Sequence, residues 1–209
     1  MSDLTLFLAA AILIAVTPGP GLLYVAARSL SGGRADGIAS SLGTGLGGSV
    51  HILAGAIGVS ALVLASAEAF TLLKIAGALY LLWLGIRTIR TAASATVTPV
   101  AVGRRRGWRG GFGEGFVVEA LNPKTAAFFL AFIPQFVDPA RGDVALQFVL
   151  LGTISVALNT AADIVVAFGA SAVRDGAAAR PGLLRRLRQA SGALMCTLAA
   201  MLAFARRPA

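Results

Sequence analysis

Two short stretches place helix breakers inside otherwise apolar runs: Thr17-Pro18-Gly19-Pro20, within the run from Leu4 to Ala27, and Asn122-Pro123-Lys124, within the run from Phe112 to Val137. Proline removes a backbone donor and clashes with the preceding turn, so these sequences interrupt a helix rather than merely bend it. In apolar surroundings the freed amides and carbonyls need partners from protein or from a water-filled cavity, so each break suggests a site. The half-helices that begin after Pro18 and at Pro123 direct unpaired N–H groups and a partial positive charge inward, which suits a carboxylate. The carbonyls that end the preceding half-helices, together with Asn122 and Asn159, suit an ammonium group. The expected site therefore lies between Pro18 to Gly21 and Asn122 to Lys124. The alternative is that the prolines only shape packing kinks.

Ionisable residues inside apolar runs offer a second chemistry. Asp163 lies four residues after Asn159, on the same face of a helix. A carboxylate in hydrocarbon is expensive, which makes Asp163 the first candidate to load and release a proton; Glu119, three residues before Asn122, is the second. The competing reading of Asp163 is a structural pair with Lys124 or Lys74. His51 also titrates, but a lone histidine in a glycine-rich helix is more often a packing residue. Lys124 either anchors a carboxylate or neutralises Glu119 or Asp163. Against an enzyme, there is no paired acid/base constellation, no H-E-x-x-H motif and no nucleophile with an adjacent base. One histidine and one cysteine make a poor soft-metal site, so neither metal nor cofactor is expected, and the single Cys196 excludes an intramolecular disulfide.

The elements that must position these residues are membrane spans. Hydrophobic residues make up 57% of the 209-residue chain and charged residues 13%, with a mean hydropathy of +0.82, too apolar for an ordinary soluble domain. A span needs roughly 20 apolar residues, and the chain divides into six such runs. They are Leu4 to Ala27, Ile38 to Ala65, Thr71 to Ile89, Phe112 to Val137, Val144 to Ser171 and Leu187 to Phe204. No cleaved signal peptide is expected, since the segment before Leu4 lacks Lys and Arg and carries Asp3. The glycines of the second run, Gly43, Gly45, Gly47 and Gly48 among them, let a neighbouring backbone approach closely and permit a homodimer. The net charge of +9 sits in short joints, which argues for topology determinants rather than nucleic-acid binding. Arg28 and Arg34, the basic joint from Arg90 to Gly113 and the joint after Ser171 carry most of the 18 Lys and Arg, so these joints face the cytoplasm and both termini lie outside. Arg206 and Arg207 run against that count, and a five-span form with a cytoplasmic C-terminus stays open.

The breaks fall in corresponding places, in the first span of each set of three, and Gly77-Ala78-Leu79 echoes Gly192-Ala193-Leu194. The expectation is an all-α membrane protein of one domain, 1–209, with six transmembrane helices as two inverted three-helix repeats, about 1–98 and 110–209, in which helices 1 and 4 are broken. Paired broken helices in inverted repeats point to a secondary transporter with a site near the midplane.

TPGPGLLY from Thr17 to Tyr24, KIAGALYLLWLGIRTIR in the third span, NPKTAAFFLAFIPQFV from Asn122 to Val137 and Asp163 in the fifth span resemble the LysE/RhtB family of bacterial amino-acid exporters. The resemblance covers nearly the whole chain. It implies a multi-pass inner-membrane protein that moves amino acids or similar small metabolites outward in exchange for protons. It adds Tyr24 to the substrate-binding candidates. Alternatives are an exporter of another small solute or a cation, or an intramembrane enzyme acting on lipid. The expected partners are the small-molecule substrate and membrane lipid.

Overall fold

The computed structural model describes residues 2–59, 67–92, 107–173 and 181–204. These residues are helical nearly throughout, with no strand among them. The order is α1 (Ser2–Val16), α2 (Pro20–Gly32), α3 (Arg34–Ala54), α4 (Ala67–Thr91), α5 (Gly107–Ala120), α6 (Pro123–Ala127), α7 (Val144–Val173) and α8 (Pro181–Phe204). A π-helical turn, Gly55–Val59, extends α3; a second, Phe128–Phe132, and a 3-10 turn, Ile133–Phe136, extend α6. The switch to the tighter turn falls just before Pro134, which has no N–H to give to a regular ladder.

Both expected breaks are present. The axis bends by 45° between α1 and α2 and by 41° between α5 and the segment Pro123–Phe136. In each case proline occupies the first helical position after the break, where its missing donor costs nothing and its fixed φ suits the helix.

The helices Thr71–Thr91 and Val144–Ala172 are long and apolar enough to cross a membrane alone, and the two bent pairs meet that test jointly. Four of the six expected spans thus have the length and composition to cross. Among the described residues α3 and α8 do not: α3 is interrupted by Gly, Ser and Thr, and α8 opens with Arg185, Arg186 and Arg188. The expected end of the second span, 60–65, and the basic residues Arg104, Arg105, Arg106, Arg174, Arg180, Arg206 and Arg207 lie outside the described residues.

One boundary expectation is corrected. The first run does not end in a joint at Ala27: α2 runs on to Gly32, the chain turns at Gly33 in the left-handed region (φ 85°), and α3 starts at Arg34. Arg28 is consequently buried at 1% exposure.

The glycines of α3 set the packing. A methyl at Gly43 or Gly47 would strike the carbonyl of Phe112 or Phe116, so α3 and α5 lie backbone to backbone. Gly45 and Gly48 turn instead toward Thr160 and Val156 of α7. α4 lies along α8 through Gly85 and Gly192, while Gly77 meets Ala131, so the two Gly-Ala-Leu echoes do not have matching neighbours. The inward stripe of α1, Phe7, Ala10, Ala11 and Ile14, has helical spacing and packs with Phe128, Phe132 and Phe148. Leu72, Leu79 and Trp83 of α4 and Leu146, Leu150 and Val165 of α7 face outward, an apolar exterior suited to lipid.

Candidate functional site

The first break leaves the last carbonyls of α1 without intrahelical donors. Thr17 turns its hydroxyl back onto the Leu13 carbonyl (2.6 Å), and its N–H reaches the Ile14 carbonyl (3.2 Å). The Lys124 ammonium, from the other break, donates to the carbonyls of Ile14 (3.1 Å) and Thr17 (2.9 Å). Lys124 is only 4% exposed, and its Nζ faces the negative end of α1, which favours a cation there. Gly19 makes room for it: a methyl there would lie 3.0 Å from Lys124 Cδ and Cε. Gly19 is in the extended region, and its carbonyl accepts from the Leu23 N–H at 2.9 Å to open α2.

The second break is closed by side chains. Asn122 is the N-cap of α6: its Oδ1 accepts from the Lys124 N–H (3.0 Å), and its Nδ2 donates to Glu119 Oε2 (2.8 Å). Thr125 Oγ1 donates to Glu119 Oε1 (2.6 Å). The Glu119 carbonyl accepts from the Asn122 N–H (2.9 Å) and from His51 Nε2 (2.8 Å). A carbonyl has two lone pairs and no proton, so His51 Nε2 is the donor in this bond. His51 thereby ties α3 to the last turn of α5. The helix after Pro123 runs only five residues before the π turn, and its amide at Lys124 is already taken.

Glu119 also reaches the first break. A methyl at Gly21 would collide with its carboxylate, which therefore rests against the first turn of α2, the positive end of that half-helix. The first break thus holds an ammonium at the end of α1 and a carboxylate at the start of α2, both supplied by the chain itself.

Asp163 is fully buried. Its Oδ2 accepts from Thr44 Oγ1 (2.7 Å), and its Oδ1 has no hydrogen-bond partner among the described residues. Asn159, one turn earlier, lines a small cavity of about 20 Å³ with Thr44, Glu119, Lys124 and Ser155, which has room for about one water. On the other side of Lys124 lies a larger cavity of about 310 Å³. Pro18, Gly19, Pro20 and Pro123 line it, together with Arg87 and Thr91 from the end of α4. Lys124 borders both.

The structure therefore gathers Thr17, Gly19, Glu119, His51, Asn122 and Lys124 around the paired breaks, with Pro18, Pro20 and Pro123 on the larger cavity. Tyr24 stands apart. Its hydroxyl lies 3.0 Å from Glu114 Oε2 and 3.2 Å from the Gly111 carbonyl, beside Arg28. Arg28 Nη2 is 3.6 Å from Asp36, Nη1 is 3.9 Å from Glu114, and Nε has no partner among the described residues. Sequence reasoning missed Thr44, Thr125 and this buried arginine. Thr44 gave a faint signal as a polar residue between Gly43 and Gly45. Among the described residues no group of three His, Cys, Asp or Glu side chains is placed to hold a metal.

The LysE type translocator family model matches residues 12–206. An uncharacterized membrane protein of Vibrio cholerae is 33% identical over 203 residues, covering 96% of each chain. The homoserine/homoserine lactone efflux protein of Salmonella typhimurium is 32% identical over 203 residues, covering 96% of this chain and 95% of its own. The leucine efflux protein of Salmonella choleraesuis is 27% identical over 154 residues, covering 70% and 69%. No solved structure matches. With the family model and full-length relatives in agreement on a chain whose paired broken helices surround buried charge, this protein belongs to the LysE type translocator family.

Proposed function

We propose that this translocator exports amino acids or closely related small metabolites across the bacterial inner membrane in exchange for protons. Membership of a translocator family makes it a membrane transporter and not an enzyme. The amino-acid assignment takes support from relatives named for homoserine, homoserine lactone and leucine efflux. It takes independent support from the first break, where carbonyls hold an ammonium and a helix start receives a carboxylate. That arrangement complements both ends of a zwitterion, and it is the observation that carries the reading.

In this reading six spans form two inverted halves. The paired bends of 45° and 41° and the packing of α3 on α7 and of α4 on α8 support it. Substrate enters the larger cavity from the Arg87 and Thr91 end of α4, the side that positive joints assign to the cytoplasm, and meets the break at Pro18 to Pro20. Asn122 and Asn159 supply polar contacts beyond it. Asp163 carries the proton: it is buried, holds one hydroxyl donor and keeps one oxygen free among the described residues. Glu119 and His51 form the hydrogen-bonded frame beside it.

The test is efflux of preloaded amino acids, delivered as dipeptides, from cells with and without the protein, at imposed and collapsed proton gradients. Faster efflux that falls when the gradient collapses is expected. No difference for any amino acid would refute the substrate assignment.

A further inference from the structure

We infer that Lys124 is a tethered stand-in for the substrate's ammonium group, and that transport begins when the substrate's own ammonium displaces Lys124 Nζ from the Ile14 and Thr17 carbonyls. The inference rests on the amino-acid reading above and goes beyond it by assigning the ammonium subsite and the group that guards it.

Three observations converge. First, the two carbonyls that a broken α1 offers to a cation are occupied, at 3.1 and 2.9 Å, by a side chain from the opposite break. A second ammonium cannot take the same oxygens while Nζ remains, since two like charges would lie within a few ångströms in a poorly solvated site. Second, Lys124 lines both cavities, so its departure from the α1 carbonyls changes the lining of the larger one and of the polar pocket beside Glu119 and Asn159. Third, the displaced charge has somewhere to go. Glu119 lines the small cavity together with Lys124, yet forms no ion pair with it within 4 Å among the described residues. Glu119, already against the first turn of α2, is the matching stand-in for the substrate carboxylate.

The exchange predicts a selectivity. Only a ligand with a free ammonium can replace Nζ; an N-acylated analogue keeps its carboxylate but cannot compete for the carbonyls. It also predicts that removing the competitor strengthens binding. A Lys124 that anchored the substrate carboxylate would give the opposite result, weaker binding on its removal.

The experiment measures equilibrium binding of the proteinogenic amino acids, homoserine and their N-acetyl derivatives to purified full-length protein, wild type and Lys124→Met. For an amino acid that the wild type binds, Lys124→Met is expected to bind about tenfold more tightly or better, because a charge-assisted hydrogen bond no longer has to be exchanged. Its N-acetyl derivative is expected to gain nothing. Unchanged or weaker binding of the free amino acid, or an equal gain for the N-acetyl form, overturns the inference and leaves the export reading standing. If Lys124→Met does not fold, Gly19→Ala replaces it, because the added methyl crowds Lys124 Cδ and Cε while keeping every charge. It is expected to shift affinity in the same direction by a smaller factor, and no shift overturns the inference. If no amino acid binds to wild type or variant, the export reading fails and the inference falls with it.

Discussion

Asn122 has two separable roles, and its replacement gives a quantitative test of the site. Its Oδ1 caps α6 and its Nδ2 donates to a buried carboxylate, at 3.0 and 2.8 Å. Losing an N-cap costs about 1 kcal/mol, and losing a hydrogen bond to a charged group costs about 1.5–3 kcal/mol. Both Asn122 and Glu119 are 2% exposed, so bulk water does not reach the place of the missing donor. Asn122→Ala should therefore destabilise by roughly 2.5–4 kcal/mol. Thr125→Val removes only the second donor to Glu119, with nearly unchanged shape, and should cost about 1.5–3 kcal/mol. Asn122→Ser restores a capping oxygen without reaching Glu119 and should recover only the cap's share, about 1 kcal/mol. The assay is unfolding of the purified protein in mixed micelles with rising SDS, read by loss of helical signal. The reasoning is refuted if Asn122→Ala is no more destabilising than Thr125→Val, or if both lie within about 0.5 kcal/mol of wild type.

Three further outcomes are expected. Asp163→Asn should give a folded protein whose export no longer follows the proton gradient; unchanged coupling in vesicles with imposed gradients would remove Asp163 from the mechanism. Gly43→Leu should separate α3 from α5, since the Phe112 carbonyl cannot retreat without moving its helix, and should lower stability by about 1–3 kcal/mol in the same SDS assay. Asp36→Asn with Glu114→Gln strands the buried Arg28 without a counter-charge and should cost about 3–5 kcal/mol, less whatever the partial exposure of Glu114 returns. Adding Arg28→Met should recover most of that loss, because it removes the stranded charge; no recovery would mean that the cluster does not act as one electrostatic unit.

The sequence announced what depends on local backbone chemistry. Two prolines flanking Gly19, and Pro123 after Asn122, interrupt helices wherever they stand, so both breaks were legible to the residue. Glycine spacing likewise foretold the close approach of α3 to a neighbour, although not that Gly43 and Gly47 would face α5 while Gly45 and Gly48 face α7. What depends on long side chains was hidden. Lys124 reaches carbonyls 110 residues away, and nothing local distinguishes that from pairing with Glu119 or Asp163. Arg28 misleads because Ser and Gly come after it, a composition that signals a joint, yet α2 carries through to Gly32 and its neighbours in α3 and α5 bury the guanidinium. α3 fails the length-and-composition test for a span for the same reason that it packs well: the small and hydroxylated residues that admit other helices lower its hydropathy.

A broken helix inside a membrane poses one problem to the empty carrier and another to the loaded one. In the proposed cycle the charged ends of a bound amino acid would satisfy the orphan carbonyls and amides; without a partner those groups would face apolar surroundings at several kcal/mol each. Drawing the Lys124 ammonium onto the Ile14 and Thr17 carbonyls lowers that penalty in the empty state, and the Glu119 carboxylate lies against the start of α2. If substrate displaces these groups as proposed, binding would be an exchange of one ammonium for another and of one carboxylate for another, so its net free energy would be small even though each contact is strong. That suits a carrier, which must release what it binds and return empty, and whose states must stay close in free energy to interconvert. The corollary concerns discrimination. If the charged ends only exchange with internal counterparts of the same kind, they contribute little to choosing among amino acids. Under the proposed exchange, selectivity would fall to the side-chain space of the larger cavity, which Leu23, Leu84 and Met195 line, and substitutions there should change which amino acid is exported.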